Sequence, residues 1–261
     1  MTKDFCKTPS FYNSQEVFKK FLGQSSYYLA LQQGLIKLIK ITNSKKLLEL
    51  GFGTGQTAIT VAKNVAAKIT AVDMRQEMVG VGNNLAKENN VENIHFMSGD
   101  MTEFVTNDLQ NFDFIYMIYS FHHIEDPLQN KIVFLQNCYN NMSAGAYLCV
   151  GETFIAEVNA MDGTDSGVLN FFEKRGAEGY ASTFWKSLNG LSKDDIDYAN
   201  EVASYCGQME INAGKLVAIR NNEYLVKRSW LVNHAKKIGF EVVIDKQVNT
   251  IGDAIILLKK V

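Results

Sequence analysis

The chain has 261 residues, 46% of them hydrophobic, enough for the core of one elaborated domain or of one domain carrying a sizeable insertion. Its 26 basic and 28 acidic side chains leave a net charge of −2, which excludes the broad positive field that holds extended nucleic acid. The opening MTKDFCKTPSFYNS has no leader pattern, and no apolar run approaches the roughly 18 residues of a membrane span, so a soluble, cytoplasmic protein with no membrane partner is expected.

Two helical patterns come first, SQEVFKKFLG and SSYYLALQQGLIKLIKIT, with apolar residues three and four apart; residues 1–45 are read as a helical cap. From Lys46 short β-like runs alternate with helical ones: KLLEL, then 55–66; KITAVD, then 75–90; NIHFMSGD; FDFIYMIY, then 126–142; and GAYLCVGE. Strands alternating with crossover helices predict a parallel sheet over 46–151. Residues 152–221 break the rhythm with helical pieces and glycine turns and are read as a lid insertion, rich in aromatics: Phe171, Phe172, Tyr180, Phe184, Trp185, Tyr198 and Tyr205. These aromatics either form the insertion's own core or line an acceptor pocket. Residues 222–261 add a helix ended by Gly239 and two strands, FEVVID and AIILLKK. The segment KQVNTIGD between those strands is too short for a helical crossover, so they should pair antiparallel at the sheet's edge. Cys6, Cys138, Cys149 and Cys206 show no C-x-x-C pair and no ligand spacing with histidines, so reduced thiols and no metal site are expected.

The turn KLLELGFGTGQTA carries the chemistry. A strand running through Gly51, Gly53 and Gly55 into a helix points backbone N–H groups and the helix's positive end at a ligand. Asp73 ends the next strand, 18 residues after Gly55, where a carboxylate accepts hydrogen bonds from both ribose hydroxyls. An adenosine cofactor follows, with NAD and S-adenosylmethionine both open at that point. The G-x-G-x-G spacing differs from the pyrophosphate-seating G-x-G-x-x-G, and Glu49 beside the turn repels a pyrophosphate but suits an ammonium and a sulfonium. Asp100, in SGDM, is placed to reach an adenine amino group.

These motifs resemble the class I S-adenosylmethionine-dependent methyltransferases, in particular the small-molecule enzymes related to the ubiquinone-biosynthesis group. LLELGFGTG is similar to the family's first motif, AVDM to its second, GDM to its third, FDFIYMIYSFHHIEDP to its fourth, and MSAGAYLCVGE to its helix-to-strand turn and fifth strand. The family more often has Pro-Gly-Gly where this chain has Ser143, Ala144 and Gly145. The resemblance implies an α/β fold: a Rossmann-like, seven-stranded, mostly parallel sheet with one antiparallel edge strand, helices on both faces and a mainly helical lid. It places Glu49, Gly51 and Gly53 at the methionine part of the cofactor, Asp73 at the ribose and Met74 at the adenine face. It also places Asp100 and Met101 at the adenine edge, and the backbone at Ile118, where relatives often carry a small polar residue, at the amino group.

His122 and His123 follow the fourth strand's carboxyl end, where open α/β sheets place their ligands. A neutral imidazole there removes a proton from an attacking hydroxyl or amine, or else orients the turn toward Pro127. His95, His234 and Asp113 are read as structural, Asp113 as an anchor for backbone at the start of its strand. The implied reaction is in-line methyl transfer to a small organic acceptor, with methyl transfer to RNA or protein and a non-catalytic nucleoside sensor as alternatives. The acceptor atom and the oligomeric state stay open.

Overall fold

The computed structural model describes residues 26–107, 109–125, 128–154, 226–248 and 253–261. The expected helix SQEVFKKFLG, residues 155–221 of the insertion with its aromatic set, Cys6, Cys206 and Pro127 lie outside the described residues.

The described chain opens with helix α1 (Ser26–Thr42), then runs β1 (Lys46–Leu50), α2 (Gln56–Asn64), β2 (Lys68–Asp73), α3 (Gln76–Glu88), β3 (Ile94–Ser98) and the short α4 (Met101–Phe104). It continues with β4 (Phe114–Ile118), a 3-10 turn (Phe121–His123), α5 (Leu128–Asn141), β5 (Tyr147–Thr153), α6 (Arg228–Ile238), β6 (Phe240–Gln247) and β7 (Asp253–Lys260). All seven strands join one sheet in the order β3-β2-β1-β4-β5-β7-β6. The first five are parallel, whereas β7 runs antiparallel to both of its neighbours. The antiparallel pairing thus stands at the expected edge, with β7 as the reversed strand and β6 outside it.

Alternation along the strands builds two cores. Leu48, Leu50, Ile115, Met117, Leu148 and Val150 face α5 and α6, with Phe134, Leu135 and Leu231 filling that side. Leu47, Ile69, Phe114, Tyr116 and Cys149 face the other way, toward α1, α2 and α3. Helix α1 presents Tyr28, Leu31, Leu35, Leu38 and Ile39 to that second core, the three-and-four spacing of a helix buried along one stripe. Glu49 falls in the same alternation as Leu47 and therefore points into this core. Its position is set by the pleat, not by its polarity. Cys138 and Cys149 are buried free thiols, and among the described residues no helix is long and apolar enough to cross a membrane.

Asp113 anchors the entrance to the sheet, as its place before β4 predicts. Its carboxylate accepts from the Lys45 amide at 2.9 and 3.1 Å and from the Lys46 amide at 3.0 Å, tying the start of β1 to β4. Because this cluster is solvent-exposed, Asp113→Ala should cost only about 1 kcal/mol in a denaturant melt. It should leave nucleoside affinity unchanged, since the anchor sits at the opposite end of β1 from the glycine turn.

Candidate active site

Strand order reverses between β1 and β4: the chain winds outward from β1 through β2 to β3, then returns to β4 on β1's other side. Carboxyl ends of strands at such a reversal leave a crevice. The glycine turn, Glu49, Asp73 and the corner after β4 all converge there.

The three glycines serve three different needs. Gly51 (φ +79°) is pressed against the next corner: a Cβ there would lie 2.5 Å from Ser120 Cβ. The Ser120 hydroxyl donates to Leu50 O at 2.6 Å, so the two turns are locked together. Gly55 (φ +83°) packs on Phe96, which would lie 3.0 Å from an added Cβ, and a Cβ added to Gly82 of α3 would stand 2.8 Å from the same ring. Of the three, Gly53 (φ +55°) alone has no atom of the described residues within 4 Å of where its Cβ would stand. The turn's amides are also committed internally. Gly51 N–H donates to Val72 O (2.7 Å), Gly55 N–H to Phe52 O (2.9 Å) and Gly53 N–H to Asp73 Oδ2 (2.8 Å). The glycines therefore shape the cradle, and their own amides already have partners, unlike the ligand-directed donors expected from the motif.

Asp73 is the hinge between strand β2 and this cradle. Besides the Gly53 amide it accepts from the Arg75 amide at 3.1 Å, and the Arg75 guanidinium stands 3.8 Å away. Burial raises its carboxyl above the usual value, partly offset by those two amides and by Arg75. Met74 beside it is 48% exposed, a large apolar side chain open at the rim. Asp100 caps α4: its Oδ1 accepts from the Thr102 amide and hydroxyl, each at 2.7 Å. Met101 is half-buried and packs on the core behind it. Ile118 closes β4, with Cδ1 lying 2.5 Å from where a Gly151 Cβ would be, so a side chain at 151 would displace the end of the Ile118 side chain.

Glu49 stands apart from these. It is 2% exposed, in register with Tyr116 of β4, whose hydroxyl donates to Oε2 at 3.0 Å. Burial pushes its carboxyl up to about 8; Asp73 adds to that push and the Tyr116 bond opposes it. The sequence reads Glu49 as a negative charge beside the turn, and in the ligand-free fold burial works against that charge.

The corner after β4 holds residues that motif reading missed. His122 Nδ1 lies 2.9 Å from Glu152 Oε2, and the His122 amide donates to the same oxygen at 3.2 Å. Glu152 Oε1 accepts from the Thr153 amide at 2.9 Å. A carboxylate has no proton to give, so Nδ1 of a neutral ring must donate, which leaves Nε2 as the accepting nitrogen. His123 stacks beside His122 with ring centroids 4.1 Å apart. Next along the rim, Tyr119 (φ +51°) donates its hydroxyl to Asp253 Oδ2 at 2.8 Å, and the Thr153 hydroxyl bonds to Oδ1. Tyr119 also stacks on Tyr28 of α1 at 6.0 Å, and Tyr28 in turn bonds to Thr57 of α2. The available signal for Glu152 and Asp253 was their place, acidic residues at strand ends on the carboxyl edge. His95 on β3 and His234, 2.8 Å from Trp230 O on α6, stand away from this corner.

Comparison with known proteins agrees with this geometry. Residues 47–145 match a family model described as a methyltransferase domain. An uncharacterised methyltransferase of Bacillus subtilis is 32% identical over 122 residues, covering 47% of this chain and 44% of that protein. A ubiquinone biosynthesis O-methyltransferase of Coxiella burnetii is 29% identical over 162 residues, covering 58% of this chain and 65% of that one. The chain thus spans less than two thirds of the length of either relative. Among solved structures, a SAM-dependent methyltransferase from Aquifex aeolicus superposes with a TM-score of 0.54 at 16% identity, covering 94% of this chain and 98% of that one, a likeness of fold. Over residues 47–145, the stretch that carries the glycine turn, Asp73 and Asp100, the chain is thus similar to the methyltransferase-domain family.

Proposed function

We propose that this protein is an enzyme that moves a methyl group from S-adenosylmethionine to a small organic acceptor and releases S-adenosylhomocysteine. The observation that carries the reading is the open face of Gly53, held by Asp73 at the reversal of strand order. A nucleoside lying on that face meets Asp73 at its ribose, Met74 at one face of its base, and Asp100 with Met101 at the base's edge. Glu49, Gly51 and the Ile118 backbone surround its amino-acid portion, and Gly55 sets the turn from behind. When bound, S-adenosylmethionine supplies a methyl on a sulfonium, an already activated leaving group.

The protein's own share is then alignment and exclusion of water, and orientation alone supplies up to roughly 7–11 kcal/mol of barrier lowering. Where the acceptor is a hydroxyl or an ammonium that must lose a proton, His122 accepts it at Nε2, with Glu152 fixing the ring and balancing the imidazolium. His123 packs the ring from the side. A thiolate acceptor makes no use of this pair. The Coxiella relative's name, an O-methyltransferase of ubiquinone biosynthesis, supports a small acceptor.

Calorimetry with S-adenosylmethionine, S-adenosylhomocysteine and NAD tests the cofactor, with binding of the first two and not the third expected. Labelled methyl should then pass from S-adenosylmethionine into the small-molecule fraction of a cell extract, and His122→Ala should slow it about 10²-fold or more for an acceptor that carries a proton. Binding of NAD alone overturns the reading. Label found only in protein or RNA moves the acceptor class, and tight binding with no transfer identifies a nucleoside sensor.

A further inference from the structure

The starting point is a carboxyl group with too little around it. Glu49 is 2% exposed and, among the described residues, takes a single hydrogen bond, from the buried Tyr116 phenol. From α1, Tyr28 approaches it, with its own hydroxyl held by Thr57 of α2. From β2 the neighbouring titratable group is Asp73, of the same sign, and Arg75 is turned to Asp73. Cys149 of β5 lies beyond Tyr116. Tyr28, Tyr116 and Cys149 are all pushed up by burial, so none of them carries a charge near neutral pH. Among the described residues no lysine, arginine or histidine pairs with Glu49.

An ionised carboxylate in such a place lacks the partners that buried charges need, whereas a protonated one does not. The group that makes ionisation favourable is the ligand: the amino-acid portion assigned to this end of the crevice brings an ammonium, and S-adenosylmethionine adds a sulfonium. We propose that Glu49 is a neutral carboxylic acid in the ligand-free protein and gives its proton to solvent when a cationic nucleoside docks, so that binding is linked to pH. This rests on the cofactor reading above. The balance is simple: the acid becomes a carboxylate paired with the ligand's ammonium, and one proton goes to the buffer. The arrangement also selects, because a pyrophosphate brings no cation and leaves the acid in place.

S-adenosylhomocysteine titrated calorimetrically at pH 7, in phosphate and in Tris, counts the protons through the difference in buffer heat. The wild type should release about one proton per ligand, and its Kd should fall close to tenfold per pH unit, at most, from pH 6 to about 7.5. Glu49→Gln should show no buffer dependence and a flat Kd. Tyr116→Phe removes the bond that favours the charged form, so it should still release nearly a full proton at pH 8, where the wild type releases about half. A ligand-free measurement reads the acid separately. With the folded value raised from 4.5 to about 8, the unfolded chain ionises first, so this group's contribution to stability is present below the lower value and lost as pH rises through the higher one. The unfolding midpoint of the wild type should therefore fall between pH 5 and 8 relative to Glu49→Gln. Normal binding with no proton released overturns the proposal and leaves the cofactor reading standing, as do parallel stability curves for the two proteins. Failure of the wild type to bind either nucleoside removes the cofactor reading and, with it, the linkage.

Discussion

A Gly51→Val protein is expected to be roughly 2–5 kcal/mol less stable than the wild type, which is a large part of the stability of an ordinary domain. A left-handed backbone at φ +79° costs a residue with a Cβ roughly 1–2 kcal/mol. The added carbon would also stand 2.5 Å from Ser120 Cβ, and forcing atoms into a filled site costs roughly 1–3 kcal/mol more. Ser120 cannot retreat cheaply, since its hydroxyl is bound to Leu50 O on the strand below. Gly53→Val should behave differently although it lies two residues on in the same motif. Its left-handed φ of +55° carries the same backbone cost, but the added side chain enters open space. Stability should therefore fall by only about 1–2 kcal/mol, while S-adenosylhomocysteine affinity should be lost. Denaturant melts and calorimetry on the pair separate a glycine that holds two turns together from one that leaves room for a ligand. Equal stability losses in the two proteins would show that the distinction is wrong.

Asp73→Ala should have the second large effect, in binding and not in folding. The carboxylate orients the cradle through the Gly53 and Arg75 amides, and in the proposed complex it also receives the ribose hydroxyls. Hydrogen bonds to a charged group are each worth about 1.5–3 kcal/mol, so losing the ribose pair should weaken S-adenosylhomocysteine roughly 10²-fold or more. The cost in stability should be small, because burial already disfavours the charged form of Asp73 and its removal relieves that penalty. Its folded pKa stands above the unfolded one, so the Asp73 contribution to stability is greatest in acid and is lost as pH rises through the folded value. The alanine protein should accordingly compare better with the wild type at pH 7 than at pH 3. Unchanged nucleoside affinity would remove Asp73 from the site.

The regular part of this molecule was readable because its signals are local. KITAVD is strand β2 residue for residue, and the three predicted crossover helices form within two or three residues of their expected ends. The short connection before AIILLKK foretold antiparallel pairing of the last strands for a steric reason, the length a crossover needs. What escaped the sequence depends on neighbours far away in the chain. Gly51, Gly53 and Gly55 look alike at their spacing, yet one meets Ser120, one meets nothing and one meets Phe96. Glu49 reads as a charge until Tyr116 and Tyr28 are seen to close over it. Glu152 meets His122 because β5 pairs with β4, and Asp253 meets Tyr119 only because β7 enters between β5 and β6. Pairing order is a property of the whole sheet, and no window of residues carries it.

That insertion of β7 has a consequence for synthesis. Strand β6 leaves the ribosome before β7, yet in the sheet it is joined to β5 only through β7, which pairs with both. A nascent chain that has not yet made β7 presents an unpaired edge along Tyr147–Thr153, a surface prone to pair with another polypeptide. It also lacks the carboxylate that Tyr119 and Thr153 use. Translation must pass Asp253 before Tyr119 and Thr153 gain their shared partner, so the rim of the crevice is among the last parts of the described fold that synthesis can complete.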